Sequence, residues 1–256
     1  MLGLPAATAE GLAPTCSFAA EQGGQVYPVD QLDPGFRCLI SAVLDKPTTV
    51  GLVGPIQTPV TVQLYDYLLD RPPLVATLSE QLGLGRYQVV PQGPNQFWVN
   101  DGDGAEGLLT LLYRDPSRRI YYLRGFHKGR FLPTVRGTAV IFMHSLSIST
   151  HEGGSAVETS LVIYTKLDNA VLAEVARVVR PLIREAVTRK LSRGIEVAHR
   201  LGAAIAEDPQ QIAQLAALVP WLSSPERHTF LAMLSTIPPQ TARRLVGTTH
   251  SRPFRQ

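Results

Sequence analysis

Cysteine and lysine are scarce in this chain, and long apolar runs are missing. Only Cys16 and Cys38 occur in 256 residues. Two cysteines are too few for a disulfide scaffold and match no zinc spacing, so both are expected as free thiols. No apolar stretch reaches the ~18–20 residues that a membrane-spanning helix needs. Met1 to Ala20 has no basic residue, and Glu10 interrupts its apolar run. That stretch reads as no secretory leader, which places the chain in the cytoplasm. GxSxG, Walker, HExxH and CxxC patterns are also missing. With them go the usual signatures of a nucleophile elbow, a phosphate loop and a zinc site, and no cofactor or metal is expected.

What is present is an ordinary globular composition, 45% hydrophobic and 18% charged, sized for one or two domains. The formal net charge of +3 hides an asymmetry. Residues 1–113 carry 4 Lys+Arg and 11 Asp+Glu, and residues 114–256 carry 20 and 10. Arg114, Arg118, Arg119, Arg124, Lys128, Arg130 and Arg136 form one basic stretch, and 177–200 forms another. Such patches attract anions, although a solvated face is the weightier reading because 20 of the 24 basic residues are Arg.

The order of elements is the most telling feature. Residues 1–46 read as a lead-in rich in Gly and Pro, with a short helix over Phe36–Leu44. Thr48–Val53 is β-branched and bounded by Gly54-Pro55, which predicts a strand. Thr58-Pro59 opens a helix that Pro72-Pro73 closes, and a second helix ends at Gly83. From Arg86 the period turns to two. Strands are expected at 86–90, 95–100, 107–114, 119–126, 137–149 and 156–166, with turn residues between them. Short connections predict an antiparallel meander, seven strands with the first. From Asp168 apolar residues recur in steps of three and four to Ile205, which predicts one long helix kinked at Pro181. Asp208-Pro209 and Ser224-Pro225-Glu226 open short C-terminal helices anchored by Trp221, Phe230 and Leu234. The domain reading is 1–46 lead-in, 47–207 main domain, 208–256 appendage and tail.

The run Val50-Gly51-Leu52-Val53-Gly54-Pro55, then Thr58-Pro59-Val60, Leu64 and Leu68-Leu69-Asp70, resembles the opening of the START-like, or SRPBCC, superfamily. The element order from Thr48 to Glu207 matches as well. The resemblance implies an α+β helix-grip fold, with a seven-stranded antiparallel sheet wrapped around the long C-terminal helix. It implies an apolar ligand held between sheet and helix. It supplies no catalytic residue, because members share topology rather than chemistry.

The candidate lining consists of Trp98, Tyr113, Tyr121, Phe126, Phe142, His144 and Tyr164 on the strands, with Leu182 and Val187 on the long helix. Ordinary core packing is the competing reading for each ring. Neighbouring strand residues face opposite ways, so Tyr121 and Tyr122 cannot both look inward. His144 and Glu158 would form an acid/base pair if their faces coincide, though a satisfied core histidine is the plainer reading. Asp101-Gly102-Asp103-Gly104 looks like a calcium loop but reads better as a hairpin turn. The mixed loop 125–133 would suit peripheral contact with an anionic membrane. Nucleic-acid binding is not expected, because no recognised module is present. The function expected is binding or transfer of a lipid-like or isoprenoid-like molecule. The alternative is an enzyme of the polyketide cyclase or hydratase kind in the same cavity.

Overall fold

The computed structural model describes residues 16–128, 134–150, 154–168 and 196–237. Much of the expected long helix, with Pro181, Leu182 and Val187, lies outside the described residues, as do Arg130 and the tail from 238.

The N-terminal segment is more ordered than its composition suggests. Strands β1 (Glu21–Gln22) and β2 (Gln25–Val26) form a hairpin around Gly23 and Gly24, both at positive φ. Helix α1 (Pro34–Leu44) starts where Asp33 accepts a hydrogen bond from the Gly35 N–H, with Pro34 in its first turn. Cys16 and Cys38 are joined by a disulfide, which corrects the free-thiol expectation. Counting cysteines could not reveal the bridge, because proximity across 22 residues is a property of the folded segment. Closing a loop of that length restricts the unfolded chain by about 3 kcal/mol. A Cys16→Ser/Cys38→Ser variant is expected to lose about that much in urea unfolding, with the loss reproduced by reducing the native protein.

Strand β3 (Thr49–Thr58) runs on through Gly54-Pro55, where the sequence suggested an end. Its register shifts between Val53 and Ile56, and this bulge accommodates a proline that has no N–H to give the ladder. Helix α2 (Val62–Leu69) therefore begins later than expected. Thr61 accepts the Leu64 N–H as its cap, while Thr58 ends the strand. Pro72-Pro73 separates α2 from α3 (Pro72–Gln81) by occupying the first turn of α3. Gly83, at positive φ, follows its C-terminal end, as its position suggested.

Strands β4 (Gln88–Gly93), β5 (Gln96–Asn100), β6 (Ala105–Arg114), β7 (Arg118–His127), β8 (Val135–Ser149) and β9 (Ser155–Leu167) form the expected meander. With β3 they make a seven-stranded antiparallel sheet in the order β3-β9-β8-β7-β6-β5-β4. The fold is thus α+β. The chain must pass from one sheet edge at β3 to the other at β4, and α2 and α3 make that crossing. The β5–β6 connection is a hairpin turn, as expected, in which Asp101 accepts the N–H groups of Asp103 and Ala105. Gly102 to Gly107 meets a GxGxxG spacing, yet it joins two antiparallel strands and opens no helix, so it forms no phosphate loop.

Register assigns every strand side chain to one of two faces. The inner face carries Val53, Ala139, Met143, Val157, Leu161 and Ile163. They share a core with Leu64 and Leu68 of α2, Leu74 and Leu78 of α3, and Leu201 and Ile205 of the helical residues 196–207. Helices α4 (Pro209–Ala217) and α5 (Ser224–Ser235) enter the same core through Ile212, Ala216, Phe230 and Leu234. Their caps, Asp208 and the Ser223–Glu226 capping box, sit within a residue of the expected starts. Trp221 is half exposed, and its neighbour Leu222 is the anchor instead. The outer face carries Ile120, Val140, Phe142 and Val162, covered by Tyr27, Leu32, Ile40 and Val43 from the N-terminal segment. Residues 16–46 are therefore a second cover for the sheet. The sequence shows the helix at Phe36–Leu44 but gives no sign that it packs on the sheet.

At one end of the sheet Gly107, Gly125 and Gly137 stand side by side on β6, β7 and β8. A Cβ at Gly125 would lie 2.2 Å from the Glu106 carbonyl oxygen. Backbones that approach this closely leave no room for a side chain, which is why glycine stands at all three positions. Among the described residues no helix is long and apolar enough to cross a membrane.

Candidate functional site

The inner face of β5–β8 is largely apolar and, among the described residues, only part of it is fully buried. Phe97 pairs with Leu109, Leu109 with Leu123, and Leu123 with Ala139. The next inner row joins Leu111, Tyr121, Ile141 and Ile163. Phe97, Leu109, Leu111, Tyr121, Leu123 and Ile141 remain only half-buried. An apolar surface with a few polar groups is the usual lining of a small-molecule site.

The polar group is the Tyr121 hydroxyl, held in a network beneath α2. Arg119 donates to Asp70 Oδ1 at 2.6 Å and to Asp66 Oδ1 at 3.2 Å. Arg114 reaches the other Asp70 oxygen at 3.0 Å. The Arg119 side chain is only 7% exposed, so its two carboxylates are what permit its burial. Burial would lift the Asp70 pKa, but the hydrogen bond and charge of Arg119, aided by Arg114, bring it below its ordinary value. Asp66 and Asp70 lie four apart on α2 and its cap, so one helix face presents both. Beside them the Tyr65 hydroxyl shares a 2.7 Å hydrogen bond with Thr159 Oγ1. Desolvation pushes the Tyr121 hydroxyl up to about 12 against the pull of Arg119. It is a neutral hydrogen-bond donor at physiological pH, and no base.

Of the sequence-proposed residues, Tyr121 alone stands on this face among those described. Register places Trp98, Tyr113, Phe126, Phe142, His144 and Tyr164 on the outer face. They therefore do not share the face of Tyr121, and Leu182 and Val187, the long-helix part of the expected lining, lie outside the described residues. Phe142 is fully buried, with ring centroids 4.9 Å from Tyr27 and 6.0 Å from Tyr164. The Tyr113 hydroxyl donates to Asp115 Oδ2 at 2.9 Å and serves the β6–β7 turn. His144 faces Ser160 across the ladder, and desolvation and Arg118 lower its pKa. Glu158 lies opposite Leu146 and accepts from Gln57 at 3.1 Å, so the His144–Glu158 pair does not form. Tyr121 and Tyr122 do face opposite ways, packing against different cores. Parity could have found the missed residues, since Arg119 and Leu123 share the face of Tyr121 two positions away.

Asp115 anchors the outer rim. Its Oδ1 accepts the Ser117 and Arg118 N–H groups at 2.9 and 2.7 Å, and its Oδ2 pairs with the Arg118 guanidinium at 2.7 Å. Burial works against ionisation here, but those hydrogen bonds hold the carboxyl at about 2. Arg118 also donates to the Val26 carbonyl and so ties the turn to the β1–β2 hairpin. A depressed carboxylate stabilises the fold above its unfolded pKa of 3.8 and loses that contribution as pH falls to about 2. Urea unfolding should therefore weaken across that interval, and Asp115→Asn should flatten the acid limb while lowering stability at neutral pH.

The basic stretch divides between the two sides of the sheet. Arg114 and Arg119 pair with α2, Arg118 pairs with Asp115, and Arg124 and Arg136 point to the outer face. Among the described residues no cluster of three His, Cys, Asp or Glu could hold a metal.

No family model and no curated protein matches the chain. Solved structures of norcoclaurine synthase from Thalictrum flavum are similar to it. The truncated enzyme is 12% identical with a TM-score of 0.31, over 56% of this chain and 92% of that one. The complex with dopamine and hydroxybenzaldehyde is 13% identical with a TM-score of 0.31, over 59% and 88%. No residue role or activity is taken from them.

Proposed function

We propose that this protein binds an apolar or amphipathic small molecule, lipid-like or isoprenoid-like, against the inner face of a helix-grip sheet. The observation that carries the reading is the half-buried apolar surface of Phe97, Leu109, Leu111, Leu123 and Ile141 beside the desolvated Tyr121 hydroxyl. Burial of ligand carbon there would supply about 25 cal/mol per Å². Tyr121, positioned by Arg119, would donate one hydrogen bond to a carbonyl or hydroxyl of the ligand and fix its orientation. Binding is preferred to catalysis of the cyclase or hydratase kind, because the polar group at this surface is a weak acid and Arg119 is occupied by carboxylates. The Cys16–Cys38 bridge favours an oxidising compartment over the cytoplasm.

Native mass spectrometry of protein purified from its host is the direct test. A bound mass that organic extraction removes and identifies as an apolar molecule supports the reading. Protein that emerges unliganded and takes up no lipid from a mixed extract refutes it. A molecule converted to product on incubation, with loss of conversion in Tyr121→Phe, would instead establish the enzyme.

A further inference from the structure

The N-terminal segment covers only part of the outer face. It lies over Ile120, Val140, Phe142 and Val162, with Tyr113 and Tyr122 packed beside them, and among the described residues it does not reach Val90, Trp98, Leu108 or Phe126 on the same face. One cross-strand row there runs Val90, Trp98, Leu108, Arg124, Thr138, with each residue opposite the next. Phe126 stands two residues along β7, opposite Arg136. Val90, Leu108 and Phe126 are 46%, 38% and 39% exposed, and Trp98 is half-buried. Large apolar side chains thus lie exposed on β4, β6 and β7 of one face, with the half-buried Trp98 between them on β5, where ordinary surfaces scatter them singly.

Two cations border this patch without partners. Arg114, Arg118 and Arg119 are all engaged with carboxylates, but among the described residues the Arg124 and Arg136 guanidinium groups have no hydrogen bond or ion pair. Both line one groove of about 390 Å³ with Phe126, Thr138 and Asp168. The groove adjoins a second of about 270 Å³ against Leu39, Val43 and Tyr122, and the two share Thr138 and Asp168. Lys166 lines the second groove, but its ammonium is held by the Ala42 carbonyl. Glu106, opposite Phe126, and Asp168 are carboxylates on this side, with Glu158 and Asp115 also on the outer face but engaged by Gln57 and Arg118. Asp101, in the adjoining turn, is engaged with backbone N–H groups.

We propose that the outer face of β4–β7 seats the protein on an anionic lipid bilayer. Trp98, Leu108 and Phe126 enter the interfacial zone, where aromatic rings are favoured. Arg124 and Arg136 take headgroup phosphates at the rim of the same patch, each worth about a factor of five in affinity near an anionic surface. This surface lies opposite the inner face, so the proposal does not depend on what that face holds.

The test is sedimentation of the full chain with vesicles of phosphatidylcholine alone, or with about 30 mol % phosphatidylserine. The protein is expected to sediment with the anionic vesicles, to be released by salt, and to bind the neutral ones weakly. An Arg124→Gln/Arg136→Gln variant should bind the anionic vesicles roughly 30-fold less, with unchanged melting temperature because both side chains are exposed. In a Trp221→Phe background, Trp98 emission should shift to the blue on the anionic vesicles. Equal binding to both vesicles, unchanged binding by the double variant, or unchanged Trp98 emission in bound protein would each overturn the proposal. Dimerisation without vesicles that Trp98→Ala abolishes would also overturn it, and would assign the face to a second copy of the chain.

Discussion

Replacing Arg119 with methionine is expected to destabilise the fold by about 4 kcal/mol. The guanidinium is buried, and it is the group that joins α2 to the sheet through Asp66 and Asp70. Methionine fills much of the same space, so lost packing is the smaller part of the effect. The larger part is two carboxylates left four residues apart on one helix face, with only Arg114 nearby. The Asp70 pKa should rise as a result, and the variant should gain stability on mild acidification where the native protein does not. Adding Asp66→Asn and Asp70→Asn should restore part of the loss, since removing a whole buried ion cluster costs less than orphaning half of it. Urea unfolding of the native, single and triple variants measures both effects. A single variant within about 1 kcal/mol of the native protein would show that the cluster is a surface ion pair in its energetics.

The second large effect concerns the inner face. Leu123→Trp should abolish most uptake of an uncharged apolar probe such as N-phenyl-1-naphthylamine while leaving the melting temperature near its native value. Leu123 is half-buried, so an indole can extend over the apolar surface without being forced into a closed core. Displacing about 100 Å² of ligand contact costs about 2.5 kcal/mol, a weakening of roughly 70-fold. Phe126→Ala and Tyr164→Phe, on the outer face, should leave uptake unchanged. Fluorescence titration of the three variants decides between the faces. Loss of uptake in the outer variants with Leu123→Trp unaffected would move the ligand to the other side of the sheet.

The sequence by itself determined the seven strands of the main sheet, the two helices after the first of them and the antiparallel meander, though not the β1–β2 hairpin. Those are local matters. Period-two runs broken by Asp101-Gly102-Asp103-Gly104 or Asp115-Pro116-Ser117 can only be strands joined by short turns, and the Asp208 and Ser223 caps follow from side chains meeting their own backbone. The opposition of Tyr121 and Tyr122 was equally legible, because alternation is a property of any strand. Which of the two faces inward was not. That depends on what packs on each side. Here α2, α3 and residues 196–207 cover the inner face, while residues 16–46, read in sequence only as a lead-in with one short helix, cover part of the outer one. The candidate rings were drawn from both faces, and only the register separates Tyr121 from Trp98, Tyr113, Phe126, Phe142, His144 and Tyr164. The Cys16–Cys38 bridge and the Arg119 cluster escaped notice for a related reason. Each depends on distances between residues far apart in the chain, 22 positions in the first case and 49 between Asp70 and Arg119 in the second, and only the packed tertiary structure sets such distances.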